Sequence, residues 1–205
     1  MNQIYNQHLW GGNNYDFYSG EGSHRHEIIV PYIEVVIKFL ESLPNLITVC
    51  DLGCGDFNIG KHLAPYCKSY IAVDIVDNLI DRNRKKFNID GLKFLCIDIS
   101  KDELPYADCA ILRNVLQHLS NAEIQKIIKK LGNYKYIILT EHIPSGKFTA
   151  NTDIISGQGI RLKKNSGVNL LESPFNLKVK ATKQFAESIL ENQKGQIITT
   201  LYQLF

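Results

Sequence analysis

These 205 residues contain no apolar run near the roughly 18–20 that a membrane-spanning helix needs. Charge of one sign is scarce: 23 Lys and Arg stand against 21 Asp and Glu, a formal net charge of +2. That is too weak for the basic footprint of a nucleic-acid-binding domain. There is no CxxC pair. The five cysteines (Cys50, Cys54, Cys67, Cys96 and Cys109) are odd in number, and only Cys50 and Cys54 approach the spacing of paired metal thiolates. Four lie in or beside apolar runs, where a thiol serves as a small hydrophobe. A disulfide framework and a structural zinc site are not expected, and a reducing, cytoplasmic setting is. The N-terminus, MNQIYNQHLWGGNN, lacks the basic start and apolar core of a secretory signal. No internal repeat or low-complexity tract occurs. His24 and His26 sit at i, i+2, but no third ligand is identifiable, so no metal is expected.

What is present is an ordinary globular composition, 44% hydrophobic and 21% charged, in a length suited to one domain. Residues 1–23 are polar, aromatic and Gly-rich, with neither strand nor helix pattern. A tail seldom carries a tryptophan and four more aromatics in its first 18 residues. A docked segment covering a site is expected instead. Residues 27–41 show helical spacing, with Pro31 expected in the first turn. Buried strands are predicted over Leu46–Asp51, Tyr70–Asp74, Leu92–Asp98, Asp108–Leu112 and Tyr134–Thr140. Helices are predicted near 59–66, 77–87 and 121–131. Short apolar strands alternating with helices predict an α/β fold, a parallel sheet covered on both faces. Residues 142–176 show no clear helix; long segments of this kind are usually functional. Two strand-like runs, Leu177–Thr182 and Gln196–Phe205, close the chain, with a helix predicted near 183–191.

The sharpest local signal runs from Val49 to Gly60, where a buried strand enters a Gly-rich turn and then a helix. Gly53 and Gly55 allow a tight bend and close approach of a ligand to the main chain. Three acids strengthen it: Asp51, Asp74 and Asp98 each follow an apolar strand directly. Ligands of open α/β sheets bind outside the carboxyl ends of the strands. An acid after the second strand suits a ribose diol, and one after the third suits an exocyclic amine. The alternative is that each Asp caps a helix.

With these residues the sequence resembles the class I S-adenosylmethionine-dependent methyltransferases. The likeness rests on Asp51-Leu-Gly-Cys-Gly, Asp74, Asp98-Ile99, and the fourth strand followed by Arg113-Asn-Val-Leu-Gln-His-Leu119. It implies a Rossmann-like seven-stranded sheet, order 3-2-1-4-5-7-6 with the seventh strand antiparallel. It implies S-adenosylmethionine as cofactor and S-adenosylhomocysteine as product. Gly53, Gly55, Asp74, Ile75, Asp98 and Ile99 would hold the nucleoside, and Asp51 would orient the loop or meet the methionyl amine. Tyr15, Tyr18, Ser19 and Gly20 would fold over the cofactor. Where the family often has a third loop glycine this chain has Phe57. Asn58 stands where the GxGxxG of a nicotinamide site requires glycine.

A second resemblance is to small bacterial methyltransferases encoded with capsule and surface-polysaccharide genes. It rests on Trp10-Gly…Tyr15-Asp-Phe-Tyr-Ser-Gly-Glu-Gly-Ser-His24, Thr140-Glu-His-Ile-Pro144, Asn151-Thr-Asp153, Gly157, Arg161 and Ser166-Gly-Val168. It brings in O-methylation of a capsular phosphoramidate.

In-line methyl transfer depends largely on alignment. Arg113 and Asn114 leave the fourth strand facing the acceptor. A guanidinium there suits an anionic substrate, or alternatively pairs with Asp51 or the cofactor carboxylate. His142, directly after the fifth strand, and His118 are the candidate bases. Asp153 and Arg161 are candidates for the acceptor pocket. The resulting division is a lid at 1–23, a cofactor core at 24–141, an acceptor-side segment at 142–176 and terminal strands at 177–205. The partner expected is a small anionic molecule, with no nucleic acid and no membrane, the chain being a monomer or homodimer. The alternatives are an NAD-dependent oxidoreductase and a non-catalytic S-adenosylmethionine-binding protein.

Overall fold

The computed structural model describes residues 2–12, 14–190 and 195–205. A short helix α1 (Asn2–Asn6) precedes α2 (His26–Glu41), β1 (Thr48–Leu52) and α3 (Gly60–Leu63). Then follow β2 (Ser69–Asp74), α4 (Asp77–Lys86), β3 (Leu92–Cys96), β4 (Cys109–Arg113), α5 (Asn121–Leu131) and β5 (Tyr136–Ile143). Two short strands, β6 (Thr149–Ala150) and β7 (Ser166–Gly167), pair with each other before β8 (Ala181–Ile189) and β9 (Gln196–Gln203). The main sheet has seven strands in the order β3-β2-β1-β4-β5-β9-β8. Its first five strands pair in parallel, and β9 runs antiparallel to both β5 and β8. This is the expected Rossmann-like order with one antiparallel strand.

Alternation along each central strand builds two cores. Cys109 and Ile111 of β4 pack with Tyr32, Val36 and Leu40 of α2. Ala110 and Leu112 pack on the other face with Ile124, Ile127 and Leu131 of α5. Because both faces are covered, these strands read as continuous apolar runs. Helix α5 begins at a capping box, with Ser120 as N-cap and Glu123 reaching back to it.

Several expectations need correction. Pro31 lies beyond the first turn of α2, which begins at His26. Burial of Ile28, Tyr32, Val36 and Leu40, four residues apart on one face, offsets the hydrogen bond the proline removes. Residues 2–6 are helical where no pattern was legible. Residues 183–189 are strand, not helix: β8 pairs with β9 along its length, with a register shift between Gln184 and Ala186. A sheet edge beside β9 satisfies backbone groups that an isolated helix would satisfy internally; Glu191, the end of the expected helix, lies outside the described residues. Strand β5 continues to Ile143 because β9 pairs with it from Tyr136 to Ile143, so His142 sits within the strand. Strand β3 ends at Cys96, leaving Asp98 in the following loop. All five cysteines are free, and Cys96 is exposed rather than buried.

Candidate active site

The carboxyl ends of the central strands open into a cavity of about 610 Å³. Its floor is the turn after β1. Gly53 and Gly55 have φ of +94° and +54°, left-handed backbone that favours glycine. A Cβ on Gly53 would lie 2.4 Å from Val115 Cγ2, and one on Gly55 would lie 2.3 Å from Ser19 Oγ. Asp74 braces this turn: its Oδ2 accepts from Gly55 N and its Oδ1 from Val76 N, both at 3.1 Å. Burial pushes the Asp74 carboxyl up, and these backbone donors offset part of the rise. The buried Asn83 donates to Gly55 O at 2.8 Å from behind.

At the third glycine's place, Phe57 adopts φ +62° and is fully buried. Its ring meets Tyr70, Phe87 and Phe94 edge-on, with centroids 4.9–5.8 Å away. An aromatic plug takes the place of the glycine expected there.

Asp51 accepts from the Tyr70 hydroxyl at 2.9 Å. Burial pushes its carboxyl up to about 7, against that hydrogen bond. Nearby, Arg113 Nε, Asn114 Oδ1 and the Tyr32 hydroxyl are buried and have no hydrogen-bond partner among the described residues. All three residues line the cavity, and the Arg113 guanidinium lies 4.9 Å from the centroid of the Tyr32 ring. Buried polar atoms normally have partners, so this cluster is built for a polar guest. Asp98 also lines the cavity. Its Oδ1 accepts from Ser100 N (2.9 Å) and Oγ (2.7 Å), and Lys101 Nζ stands 2.8 Å from Oδ2. Burial raises the Asp98 pKa, but Lys101 and Ser100 outweigh this and hold it below the usual carboxylate value. None of the three acids is a helix N-cap; Ile59 and Val76 hold those positions in α3 and α4.

The N-terminal segment lies across this site, and Asp56 ties it down. Its Oδ2 accepts from Ser19 N at 3.1 Å and meets His24 Nε2 at 2.6 Å, while its backbone N donates to Ser19 Oγ at 2.8 Å. Arg82 bridges Asp16 at 2.6 and 2.7 Å and also donates to Asp56 O at 3.0 Å. Hydrogen bonds from Arg82 hold the Asp16 carboxyl down to about 2. Arg113 donates to Gly22 O and, at 3.1 Å, to Ser23 Oγ. Trp10 reaches the cavity wall, its ring 5.3 Å from that of His118.

The structure brings Asp51, Gly53, Gly55, Asp74, Ile75, Asp98 and Ile99 to one cavity. Ser19, Gly20, Arg113, Asn114, His118 and His142 join them there. It does not bring Tyr15, Tyr18, Asp153 or Arg161. Tyr18 stacks on His24 at 4.3 Å, and the exposed Tyr15 packs on Tyr18 at 5.2 Å. Asp153 is exposed and accepts from Asn121 N at 2.7 Å, holding the start of α5. Arg161 is buried beneath the wall among backbone carbonyls. Sequence reasoning missed Asp56, Tyr32 and Gln117. Asp56 borders the glycine turn and was legible there; Tyr32 reads as a core residue of an amphipathic helix. Gln117 accepts from His142 N at 3.3 Å and stands 3.2 Å from His118 Nε2. His118 Nδ1 lies 3.3 Å from Gly159 O, so Nδ1 donates and Nε2 accepts from Gln117. Burial lowers the His118 pKa. Among the described residues no three His, Cys, Asp or Glu side chains converge as a metal site, and no helix is long and apolar enough to cross a membrane.

A family model described as a methyltransferase domain matches residues 49–134, the stretch from β1 through α5 that holds the glycine turn and all three acids. No curated protein matches the chain in sequence. Among solved structures, the chain is similar to the N-methyltransferase NodS from Bradyrhizobium japonicum WM9 in complex with S-adenosyl-L-homocysteine. The TM-score is 0.68 at 11% identity, covering 98% of each chain. A Leishmania major S-adenosylmethionine-dependent methyltransferase gives 0.62 at 16% identity, covering 88% of this chain and 74% of that one. Human N-acetylserotonin methyltransferase in complex with S-adenosylmethionine gives 0.57 at 17%, covering 88% and 54%. At such identities the likeness is one of fold. The site's own chemistry fits S-adenosylmethionine: close-approach glycines, the Asp74 carboxylate beside them, and orphaned donors and acceptors around a buried acid suited to an amino-acid group.

Proposed function

We propose that this methyltransferase takes its methyl group from S-adenosylmethionine and passes it in line to an oxygen or nitrogen of a small, anionic acceptor. The observation that carries the reading is the convergence on one cavity of the glycine turn, Asp74, Asp98 and the Arg113, Asn114 and Tyr32 atoms left without partners among the described residues. When bound, the cofactor supplies an electrophilic methyl on a positively charged sulfur. Asp74 receives the ribose hydroxyls, and Ile75 and Ile99 flank the base. Asp51, ionised by a neighbouring ammonium, holds the amino group; Asn114 Oδ1 adds an acceptor. Residues 1–23 form a lid that excludes water, and 142–176 flank the acceptor.

Two roles shift from the first expectation. The Arg113 fork holds Gly22 and Ser23, so it organises the lid. The His118 Nε2 lone pair accepts from Gln117, which leaves His142 as the candidate base. The resemblance of residues 10–24 and 140–168 to capsule-associated methyltransferases supports an acceptor from surface-polysaccharide synthesis, a nucleotide-linked or phosphoramidate-bearing intermediate. The nicotinamide alternative is disfavoured. Asn58 uses its amide on Ser23 O at 2.8 Å and accepts from Lys61 at 2.7 Å, filling the loop where a pyrophosphate would lie. Titration calorimetry with S-adenosylhomocysteine tests the reading. Saturable binding is expected, and a folded sample that binds none at millimolar ligand sinks it.

A further inference from the structure

The single turn Leu116–His118 carries two side chains of the cavity wall, Gln117 and His118, and it is gripped at both ends. At its N–H end, Glu141 Oε1 accepts from Leu116 N at 3.1 Å. At its C=O end, Arg161 Nη1 donates to Leu116 O (3.1 Å) and Gln117 O (3.3 Å). Arg161 Nη2 donates to Leu119 O (2.7 Å) and Asn121 Oδ1 (2.8 Å), and Nε to Thr152 O (3.0 Å). All five guanidinium N–H groups are thus used, each on an uncharged acceptor. Glu141 is 3% exposed and Arg161 1%. The two interact electrostatically across the turn without a salt bridge between them among the described residues.

Burying an ionisable group is costly even where its pKa shifts toward the neutral form. A loop that only had to close its chain would use neutral caps. Here acid and base are placed where the turn's N–H and C=O groups point, which fixes the turn's orientation as well as its existence. That orientation matters because Gln117 spans from the His118 ring to the backbone of His142.

Resting on the reading of this cavity as the methyl-transfer site, we propose that Glu141 and Arg161 are a pair of positioning residues. They hold the Leu116–His118 turn so that Gln117 on Nε2, acting with Gly159 O on Nδ1, keeps the His118 imidazole in one tautomer against the cavity.

The test uses the full-length chain with nitrogen-15 histidine. Long-range proton–nitrogen spectra report the tautomer of each of the six imidazoles, and His118→Asn identifies the His118 signals. The wild type is expected to show His118 fixed with the proton on Nδ1. Arg161→Lys keeps the charge but cannot span these carbonyls, and its His118 signals are expected to average between tautomers. Gln117→Leu and Glu141→Leu should do the same, whereas Glu141→Gln, which keeps the acceptor for Leu116 N, should preserve the fixed form. Affinity for S-adenosylhomocysteine should change by less than about fivefold in the Arg161 and Glu141 variants, whose side chains do not line the cavity. A folded Arg161→Lys chain with His118 still locked overturns the proposal. So does a loss of ligand affinity in step with the tautomer, which marks the pair as general scaffold. If Arg161→Lys does not fold, the Gln117 and Glu141 variants carry the same readout. The imidazole spectra need no ligand, so failure of the wild type to bind S-adenosylhomocysteine counts against the functional reading alone.

Discussion

The ring of Phe57 occupies the space that a side chain at Gly60 would need: a Cβ there would lie 2.2 Å from Phe57 Cε2. The loop's missing third glycine and the glycine at the start of α3 are therefore one adaptation. Phe57→Ala is expected to destabilise the protein by about 3–5 kcal/mol, as for other buried aromatic truncations. Gly60→Ala should cost about 1–3 kcal/mol through overpacking. In the double variant Phe57→Ala, Gly60→Ala, the second substitution should cost far less than alone. Urea unfolding of the four chains measures this coupling, and strict additivity would refute it.

Asp74 receives two backbone N–H groups and faces the cavity. Asp74→Ala is expected to weaken S-adenosylhomocysteine binding by about 1–3 kcal/mol, the penalty for stranding buried partners. Calorimetry on a variant with native circular dichroism gives the answer. Unchanged affinity removes Asp74 from the ribose role.

Arg113 holds Gly22 and Ser23, so Arg113→Ala should loosen the N-terminal segment while leaving the sheet intact. Two readouts follow. Tryptic cleavage at Arg25 should accelerate, and emission from Trp10, the single tryptophan, should shift to the red. Loss of charged hydrogen bonds worth about 1.5–3 kcal/mol sets the scale. Unchanged cleavage and emission would show that Asp56 and Arg82 secure the segment without it.

The pH dependence of stability has a defined sign. Burial raises Asp51 to about 7 and Glu141 to about 8. A carboxyl whose folded pKa exceeds its unfolded value binds a proton more tightly when folded. Ligand-free stability should therefore fall as pH rises from about 4 toward each folded pKa, by up to ~1.4 kcal/mol per pH unit per group. The lowered pKa of His118 acts in the opposite direction, but only below its unfolded value near 6.5. The decline is thus cleanest between about pH 6.5 and 8. Asp51→Asn and Glu141→Gln should each flatten it in thermal melts, and Asp51→Asn should also lose affinity for a ligand bearing an ammonium. A wild-type curve that rises across this window would contradict the burial of both acids.

Local signals were legible where neighbours a few residues away decide the outcome. The helix over Asn121–Leu131 is set by its own apolar period and the Ser120 cap. The glycine turn and Asp74 are likewise readable because strand, turn and acid are consecutive or nearly so in space. His142 was placed beyond a strand rather than within it because β9, which extends β5, comes more than fifty residues later.

The sequence by itself determined the alternation of buried strands with helices, the glycine turn and the acids in or just after the strands, and hence the kind of sheet. Each follows from period, backbone freedom or charge within a short window. The tertiary structure alone decided that 183–189 would pair with β9 rather than coil, and that Tyr15 and Tyr18 would pack with His24 rather than line the cavity. It also sent Arg161 under the wall, where it grips a turn instead of a substrate. The reason is physical: backbone hydrogen bonds and buried charges must find partners wherever the fold supplies them, and those partners lie far along the chain.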